Sequence, residues 1–310
     1  MNETESLRVT YVALLELQPH DGVSYKVLEQ LRAWKTLGAA TQGVFLQRSD
    51  RDMLRSLQGT DVLVVPRSES LFERRGSAAR IREAIGRFAP DVIYMRGIPY
   101  LVLWMLRKTP TPIVAELNSI ESNEYAIRAE TLAKWSRWSA WLRNGFRARL
   151  RRLATGSVAG VAAVTEELAE DHRRRFGVEQ TAVIPNAIRI ESWPPAEKRT
   201  LEDRPRLVFV GTQGRGYNTG SHWHGVDKLL RFAGRHRDAV RVDIIGDLAP
   251  TEGCDIPSNV CFHGTKASRE VDRLLETADV GIGTLALHRK GMNEACPVKT
   301  RQYLVRGLPI

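Results

Sequence analysis

The feature that most constrains this chain is a succession of short β-rich apolar runs that do not alternate strictly with polar residues. They are LRVTYVALL (7–15), TQGVFLQR (41–48), DVLVVP (61–66), DVIYMRG (91–97), TPIVAELN (111–118), SVAGVAAVT (157–165) and TAVIPNAI (181–188). A strand with one wet face alternates, whereas a run that stays apolar at successive positions is buried on both faces. Helical stretches at 24–38, 50–57, 76–88, 98–107 and 166–177 fall between most of these runs. That order predicts a mostly parallel sheet covered on both sides. The stretch 166–177 carries acids first and cations last, as the helix dipole prefers.

The rhythm stops at ESWPPAEKRTLEDRP (191–205), which is charged and proline-rich, and then restarts. RLVFVG (206–211), VRVDIIGD (240–247), NVCFHG (259–264) and the run through DVGIG (279–283) read as strands. Helices are expected over 226–237 and about 267–277. For 310 residues, two domains of ~150 residues are the natural expectation. The fold class is therefore α/β, with two Rossmann-like parallel-sheet domains facing across a cleft. Residues 1–190 form the first domain, 191–205 the linker, and 206–310 a partial second domain. It reads as incomplete because LVRGLPI normally leads into a further strand. Two such domains suit an enzyme that brings two substrates together.

Composition narrows the setting. The N-terminus is polar and acidic, and no run of 18 apolar residues exists, so neither a secretory signal nor a membrane span is expected. Three cysteines, Cys254, Cys261 and Cys296, lack metal-ligand spacing, which reads as a reducing cytosol. The net charge of +10 is concentrated: Thr131 to Leu153 holds seven Lys or Arg and no acid. Within it Trp135, Trp138 and Trp141 recur at i, i+3 and i+6, and Arg147, Arg149, Arg151 and Arg152 follow. A basic helix rimmed with tryptophan suits an anionic membrane surface. The same residues also suit a surface helix with its aromatics in the core. A nucleic-acid platform is a weaker third reading, because no nucleic-acid-binding motif accompanies them, and no nucleic-acid partner is expected.

Ligands on open parallel sheets bind at the carboxyl ends of strands. That directs attention to Gly22–Ser24, Arg96–Gly97 and Asn118–Glu121. In the second half, TQGRGYNTGSHWHG (212–225) joins a strand to a helix start through a glycine-rich loop. Such a loop can hold phosphate or can simply be flexible. It has neither the compact dinucleotide spacing nor the G-K-[ST] of a P-loop. His224 either donates to a phosphate oxygen or acts as a capping, solvated histidine. His222 and His224 lack a third ligand nearby, and His263 and His288 have no companions in sequence, so no metal site is expected. Last comes GMNEACPVKTRQYLVRGLPI (291–310), a loop feeding a helix over about 297–306. Pro297 fits its first turn and Gly307 the position after its last. With Glu294 just ahead and Lys299 and Arg301 just inside, it is a place to hold a sugar or a phosphate.

In order along nearly the whole length, these pieces resemble bacterial glycosyltransferases of the GT-B fold, in the retaining family 4 group. The matching segments are HDGVSYKVLEQLRAWKTLG, DVIYMRG, PIVAELNS, VIPNAI, FVGTQGRGYNTGSHWHGVDKLL and NEACPVKTRQYLVRGLP. Ala187 stands where the family usually has glycine. The family's two glutamates, seven residues apart, fall on Glu294 and Gln302. The resemblance implies that Glu294 binds donor-sugar hydroxyls and that Gln302 reaches the nucleotide ribose as an amide in place of a carboxylate. It places the diphosphate near Gly211, Thr212 and Gln213, with Arg215 further along, and near His224 and Gly225. Lys299 meets the leaving phosphate and Arg301 supports it. Gly22, Ser24, Asn118 and Glu121 take the acceptor side. No metal or other cofactor is implied.

The activity so implied is transfer of a sugar from a nucleotide-diphosphate sugar to a glycan or lipid-linked acceptor, with retention, in cell-surface polysaccharide biosynthesis. The protein is expected in the cytoplasm, peripheral at the inner face of the cell membrane. Gln302, the neutral residues at 212 and 213 and the early end at Ile310 keep a second reading open. In it, a truncated or impaired relative binds a sugar nucleotide or a partner without turnover. A sugar-nucleotide epimerase or a phosphatase on the same scaffold is a third.

Overall fold

The structure, a computed structural model, describes residues 6–19, 21–46, 48–66, 71–120, 156–190, 204–211, 223–247 and 255–310, with Asn123, Gly145 and Arg149. The chain divides into two compact units, one of Met1–Pro19 and Val23–Pro185, the other of Asn186–Ile310 together with His20–Gly22.

The first unit alternates β1 (Arg8–Val12), α1 (Gly22–Thr36), β2 (Ala40–Leu46), α2 (Arg51–Arg55) and β3 (Asp61–Val65). It continues through α3 (Leu71–Phe88), β4 (Val92–Arg96), α4 (Tyr100–Leu106) and β5 (Ile113–Leu117). β6 (Gly160–Ala163), α5 (Glu166–Phe176) and β7 (Thr181–Val183) follow. All seven strands are parallel, in the order β3-β2-β1-β4-β5-β6-β7. The direction of winding reverses between β1 and β4, the position where open sheets bind ligands. β2 shows why strict alternation is missing from the sequence, since Thr41 to Phe45 are buried at five successive positions. A cluster of Tyr11, Leu17, Val27, Leu28, Leu31, Phe45, Met53 and Leu57 locks α1 and α2 onto β1 and β2.

Element ends follow local chemistry. Thr165 caps α5 by accepting from the Leu168 N–H at 3.3 Å, and Gly177 ends it at φ 68°, a conformation that costs glycine little. The expected strands are longer than the ladders formed. LRVTYVALL pairs only over Arg8–Val12, because beyond Ala13 the chain turns into the loop that precedes α1. α3 begins at Leu71, ahead of the expected 76.

The second unit contains β8 (Arg206–Val210), α6 (Val226–Arg235), β9 (Arg241–Ile245), β10 (Val260–Gly264), α7 (Ser268–Glu276) and β11 (Val280–Gly281). A 3₁₀ turn (Leu287–Lys290) and α8 (Val298–Val305) complete it. Its four strands are parallel, in the order β10-β9-β8-β11. The period of two along the strands divides the core. Leu207, Phe209, Val242 and Ile244 pack with Leu229 and Ala233 of α6. Val208 and Ile245 point the other way, onto Leu275, Ala278, Tyr303 and Leu308. α8 begins at Val298, so Pro297 is the residue that caps it, with φ −72° and ψ 144°, and is not inside its first turn. The run expected as a strand over 279–283 pairs only at Val280 and Gly281. There the backbone must accommodate Tyr303, whose ring lies 2.4 Å from where a Cβ on Gly281 would sit.

The carboxyl ends of β8 and β9 meet still more closely. Gly246 has φ 125°, and a Cβ there would lie 1.6 Å from the carbonyl oxygen of Gly211. Both the dihedral and the contact exclude a side chain. Gly246→Ala is expected to destabilise the second unit by at least ~3 kcal/mol, combining backbone strain with a clash against backbone that cannot move aside. Urea unfolding with the wild type alongside checks this.

Candidate functional site

In the second unit, three residues singled out from the sequence, Gly211, His224 and Lys299, meet at the carboxyl end of β8. Phe209, fully buried, is the platform. On it lies the ammonium of Lys299, 3.6 Å from the ring centroid. The His224 ring meets the same phenyl edge-on, with centroids 5.6 Å apart at 75°. Gly211 continues β8 and is held by its N–H to the Ile245 carbonyl at 2.9 Å. Tyr303 fixes the last turn of the strand by accepting from the Val210 N–H at 2.9 Å.

Gly225 starts α6 in the left-handed region, at φ 71°, and no side chain caps that helix. A Cβ at Gly225 would lie 2.8 Å from Cβ of Leu285 and 3.1 Å from Cβ of Ala286. The close approach has a cause. Leu285 and Ala286 donate their N–H groups to the carbonyls of His224 and Trp223, each at 3.1 Å. Arg289 then grips Asp227 with two bonds of 2.8 Å, which ties the 3₁₀ turn to the first turn of α6. The hydrogen bonds from Arg289 hold the Asp227 carboxyl down at about 2. The Lys290 ammonium lies 4.1 Å from the Trp223 ring centroid. The first turn of α6 thus presents backbone dipoles with cations around it, an arrangement that favours an anion.

The loop before α8 is anchored by Asn186, a buried residue whose side-chain amide donates to the Cys296 carbonyl. Arg301 donates to the Cys296 sulfur at 3.4 Å. Glu294 is exposed on this loop, and Arg301 and Gln302 are half-buried on α8. Asn186 was missed in the sequence as a positioning group. Its signal was the one polar residue inside the apolar run VIPNAI.

Lys299 is the exceptional group. It is buried, its Nζ has no hydrogen-bond partner among the described residues, and burial draws its pKa down to about 7. An aromatic face compensates only part of the lost hydration of an ammonium. An anion arriving beside it would supply the missing counter-charge. Between the folded value of about 7 and the ordinary 10.5, the unfolded chain carries a proton on this amine that the folded chain lacks. The Lys299 contribution therefore makes stability rise with pH across that window, with no further change below it. Replacing the amine by Lys299→Met is expected to flatten this part of the profile and to stabilise the protein near neutral pH. Thermal unfolding of both proteins across the window checks this.

The first unit holds a second polar centre, at the carboxyl ends of β4 and β5. Glu116 is 2% exposed and accepts from the Arg96 guanidinium at 2.7 Å, from the Lys26 ammonium and from the Tyr11 hydroxyl. Burial pushes its carboxyl up, but Arg96 and Lys26 outweigh burial and hold it below the ordinary range. Asn118 is fixed between them, donating to Glu116 at 2.6 Å and accepting from Lys26 at 2.7 Å. Lys26 and Glu116 were not singled out in the sequence, although both adjoin residues that were. Ser24 is buried and accepts from the Gln18 N–H at 3.0 Å, which braces the loop after β1. Gly22 is the first residue of α1 and has room for a Cβ. Of the proposed membrane contacts, Arg149 is helical and exposed. Trp135, Trp138, Trp141, Arg147, Arg151 and Arg152 lie outside the described residues, as do Glu121, Thr212, Gln213 and Arg215. No helix among the described residues is long and apolar enough to cross a membrane.

The family profile of Glycosyltransferase Family 4 matches residues 20–192, more than half of the chain. The chain belongs to Glycosyltransferase Family 4. No curated protein sequence matches it. Among solved structures it is similar to Anabaena HepE in complex with UDP and glucose, at 13% identity and a TM-score of 0.65. That match covers 98% of this chain and 79% of HepE. The apo form of the lipopolysaccharide outer core galactosyltransferase WaaB matches at 13% identity and a TM-score of 0.63, over 98% of this chain and 79% of WaaB. WaaG, a glycosyltransferase involved in lipopolysaccharide biosynthesis, matches at 13% identity and a TM-score of 0.59, over 96% of this chain and 84% of WaaG. At that identity the likeness is one of fold, and it agrees with two Rossmann-like sheets of which the second is smaller. The family 4 assignment covers the first unit most fully, while the polar groups around Phe209 lie in the second.

Proposed function

We propose that this family 4 protein moves a sugar from a nucleotide-diphosphate sugar to a glycan or lipid-linked acceptor, with retention of configuration, in cell-surface polysaccharide biosynthesis. The observation that carries this reading is the buried amine of Lys299, unpaired among the described residues and set on Phe209 beside the uncapped start of α6. A diphosphate placed there receives the α6 dipole, the Lys299 ammonium and the His224 ring. The same reading assigns Gly211, Thr212, Gln213, Arg215 and Gly225 to the diphosphate. Arg301 adds a cation near the leaving group, and Gln302 hydrogen-bonds the ribose. Glu294 takes the sugar hydroxyls. As the glycosidic bond breaks, the second phosphate gains charge, and a cation already in place lowers the barrier without reorganising. The positive charge comes from side chains, so this reading calls for no metal. Departing phosphate would accept the acceptor's proton on the face it leaves, which gives retention. Gly22, Ser24, Asn118 and Glu121 are assigned to the acceptor. For Ser24 the assignment is to a bracing role, since its side chain is buried in the loop after β1.

Glu294→Ala tests the donor assignment. Glu294 is exposed, so the variant is expected to unfold at the wild-type temperature while sugar transfer falls by about two orders of magnitude or more. Retained transfer in a radiolabelled-sugar assay would overturn the assignment. The donor itself is identified by thermal shift with UDP, GDP, ADP and their sugars, where binding to the folded state raises the transition.

Gln302 favours a second reading, a relative that binds nucleotide sugar without turnover. An amide gives a weaker bond to a ribose hydroxyl than a carboxylate. Nucleotide binding with no transfer to any acceptor, and gain of transfer in Gln302→Glu, would establish that alternative.

We place the protein at an anionic membrane surface through its basic, tryptophan-containing stretch, where lipid-linked acceptors reside. Each cation near such a surface is worth about 1 kcal/mol. Neutralising Arg147, Arg149, Arg151 and Arg152 together is expected to release the protein from vesicles rich in phosphatidylglycerol. Co-sedimentation equal to that of the wild type would remove the membrane from this account.

A further inference from the structure

We propose that Asp243, Cys261 and His263 form a binding site for a divalent ion of the zinc class, separate from the sugar-transfer chemistry. The three residues share one face of the second sheet. Asp243 lies in β9 and the other two in β10, the edge strand, with Cys261 directly opposite Asp243 in the parallel register. Cys261 and His263 are two residues apart and so project to the same side. The ladder shifts register between Phe262 and Gly264, leaving His263 as the bulged residue, and a bulge re-aims the side chain it carries. A carboxylate oxygen, a ring nitrogen and the thiol sulfur thereby lie within 4.8 Å of one another. Cys261 is exposed and His263 partly exposed, so an ion can enter from solvent, while Asp243 is buried beneath them.

The donor set selects the metal. Thiolate and imidazole are poor ligands for Mg²⁺ or Ca²⁺ and good ones for Zn²⁺ and Co²⁺. Three protein ligands leave a fourth position for water, the pattern of an open tetrahedral site. At present Asp243 Oδ1 and His263 Nε2 are 2.5 Å apart across a hydrogen bond. The ion takes the place of that hydrogen, bound to Oδ1 and Nε2, the displaced proton moving to the other ring nitrogen of His263 or to water, and Cys261 closes in as the third ligand. Its thiol proton passes to water, as thiolate ligation requires. Zinc bonds of about 2.0–2.3 Å mean that the sulfur must draw in by roughly 1 Å, a movement open to a surface side chain. Asp243 Oδ2 stays bonded to Nε of Arg206, which is itself held by Thr277 at 2.8 Å. That outer contact keeps the carboxylate oriented and ionised, as supporting groups do around metal ligands. A plain His–Asp–Arg ion network would account for the three charged groups. It gives no role to the thiol that stands directly opposite the aspartate in the ladder.

Co²⁺ titration of the full-length, reduced and chelator-treated protein tests the site. A thiolate-to-cobalt charge-transfer band in the near ultraviolet is expected, saturating at one equivalent per chain and bleached by Zn²⁺. Cys261→Ser, a near-isosteric change at an exposed position, is expected to abolish the band with the fold unchanged by circular dichroism. His263→Ala should weaken Co²⁺ binding by at least about 10–100-fold. Cys254→Ser and Cys296→Ser should leave it intact. Absence of the band in the wild type, or its persistence in Cys261→Ser, would overturn the proposal.

Discussion

Strands buried on both faces leave little room for charge except at their ends, and this constraint governs both units. Where an ionised group does enter, it needs either partners or a role that tolerates their absence. Glu116 illustrates the first case. Three donors from β1, α1 and β4 converge on it, and a fourth from Asn118 completes the shell. Each donor belongs to a different segment, so the network holds the carboxyl ends of the first sheet in register.

Lys299 is the opposite case. Its amine is as deeply placed, yet among the described residues it has no hydrogen-bond partner and lies over the Phe209 ring. A group held in this way is costly to the folded state at neutral pH and well suited to receive an anion. Around it, the close backbone contacts at Gly246, Gly225 and Gly281 carry a similar logic. At each position a side chain would collide with a neighbouring segment, so the glycines let the loops at the strand ends approach closely. The Asp227–Arg289 pair then fixes the start of α6 against the 3₁₀ turn. Rigid surroundings of this kind are what a preorganised anion site needs.

Much of the architecture was legible in the order of residues. Runs such as TQGVFLQR announced buried parallel strands, and the acids and cations of EELAEDHRRRFG announced both ends of α5. The glycine at 307 and the proline at 297 bounded α8 to within a residue. Strand lengths were less legible, because an apolar run continues past the last ladder bond wherever its residues remain buried in a loop, as at Ala13 and Leu17. The candidate site was half legible. Glu294, Lys299, Arg301 and His224 stood out by type and spacing, but Asn186, Phe209 and Arg289 did not. Their parts depend on contacts across long sequence separations, as between Asn186 and Cys296.

By itself, then, the sequence determined the class of fold, the division into two parallel-sheet units and the segments that carry polar chemistry. Periodicity and terminal residues act locally, so they can be read without coordinates. Only the tertiary structure decided which charges are satisfied. Glu116 looked like one more acid at a strand end and proved to be the hub of a buried network. Lys299 looked like one more cation on a helix and proved to be buried without a partner among the described residues. Cys261 and His263 looked like residues without companions until the pairing of β9 with β10 set Asp243 beside them. Burial and partnership are sums over neighbours distant in sequence, and folding alone brings those neighbours together.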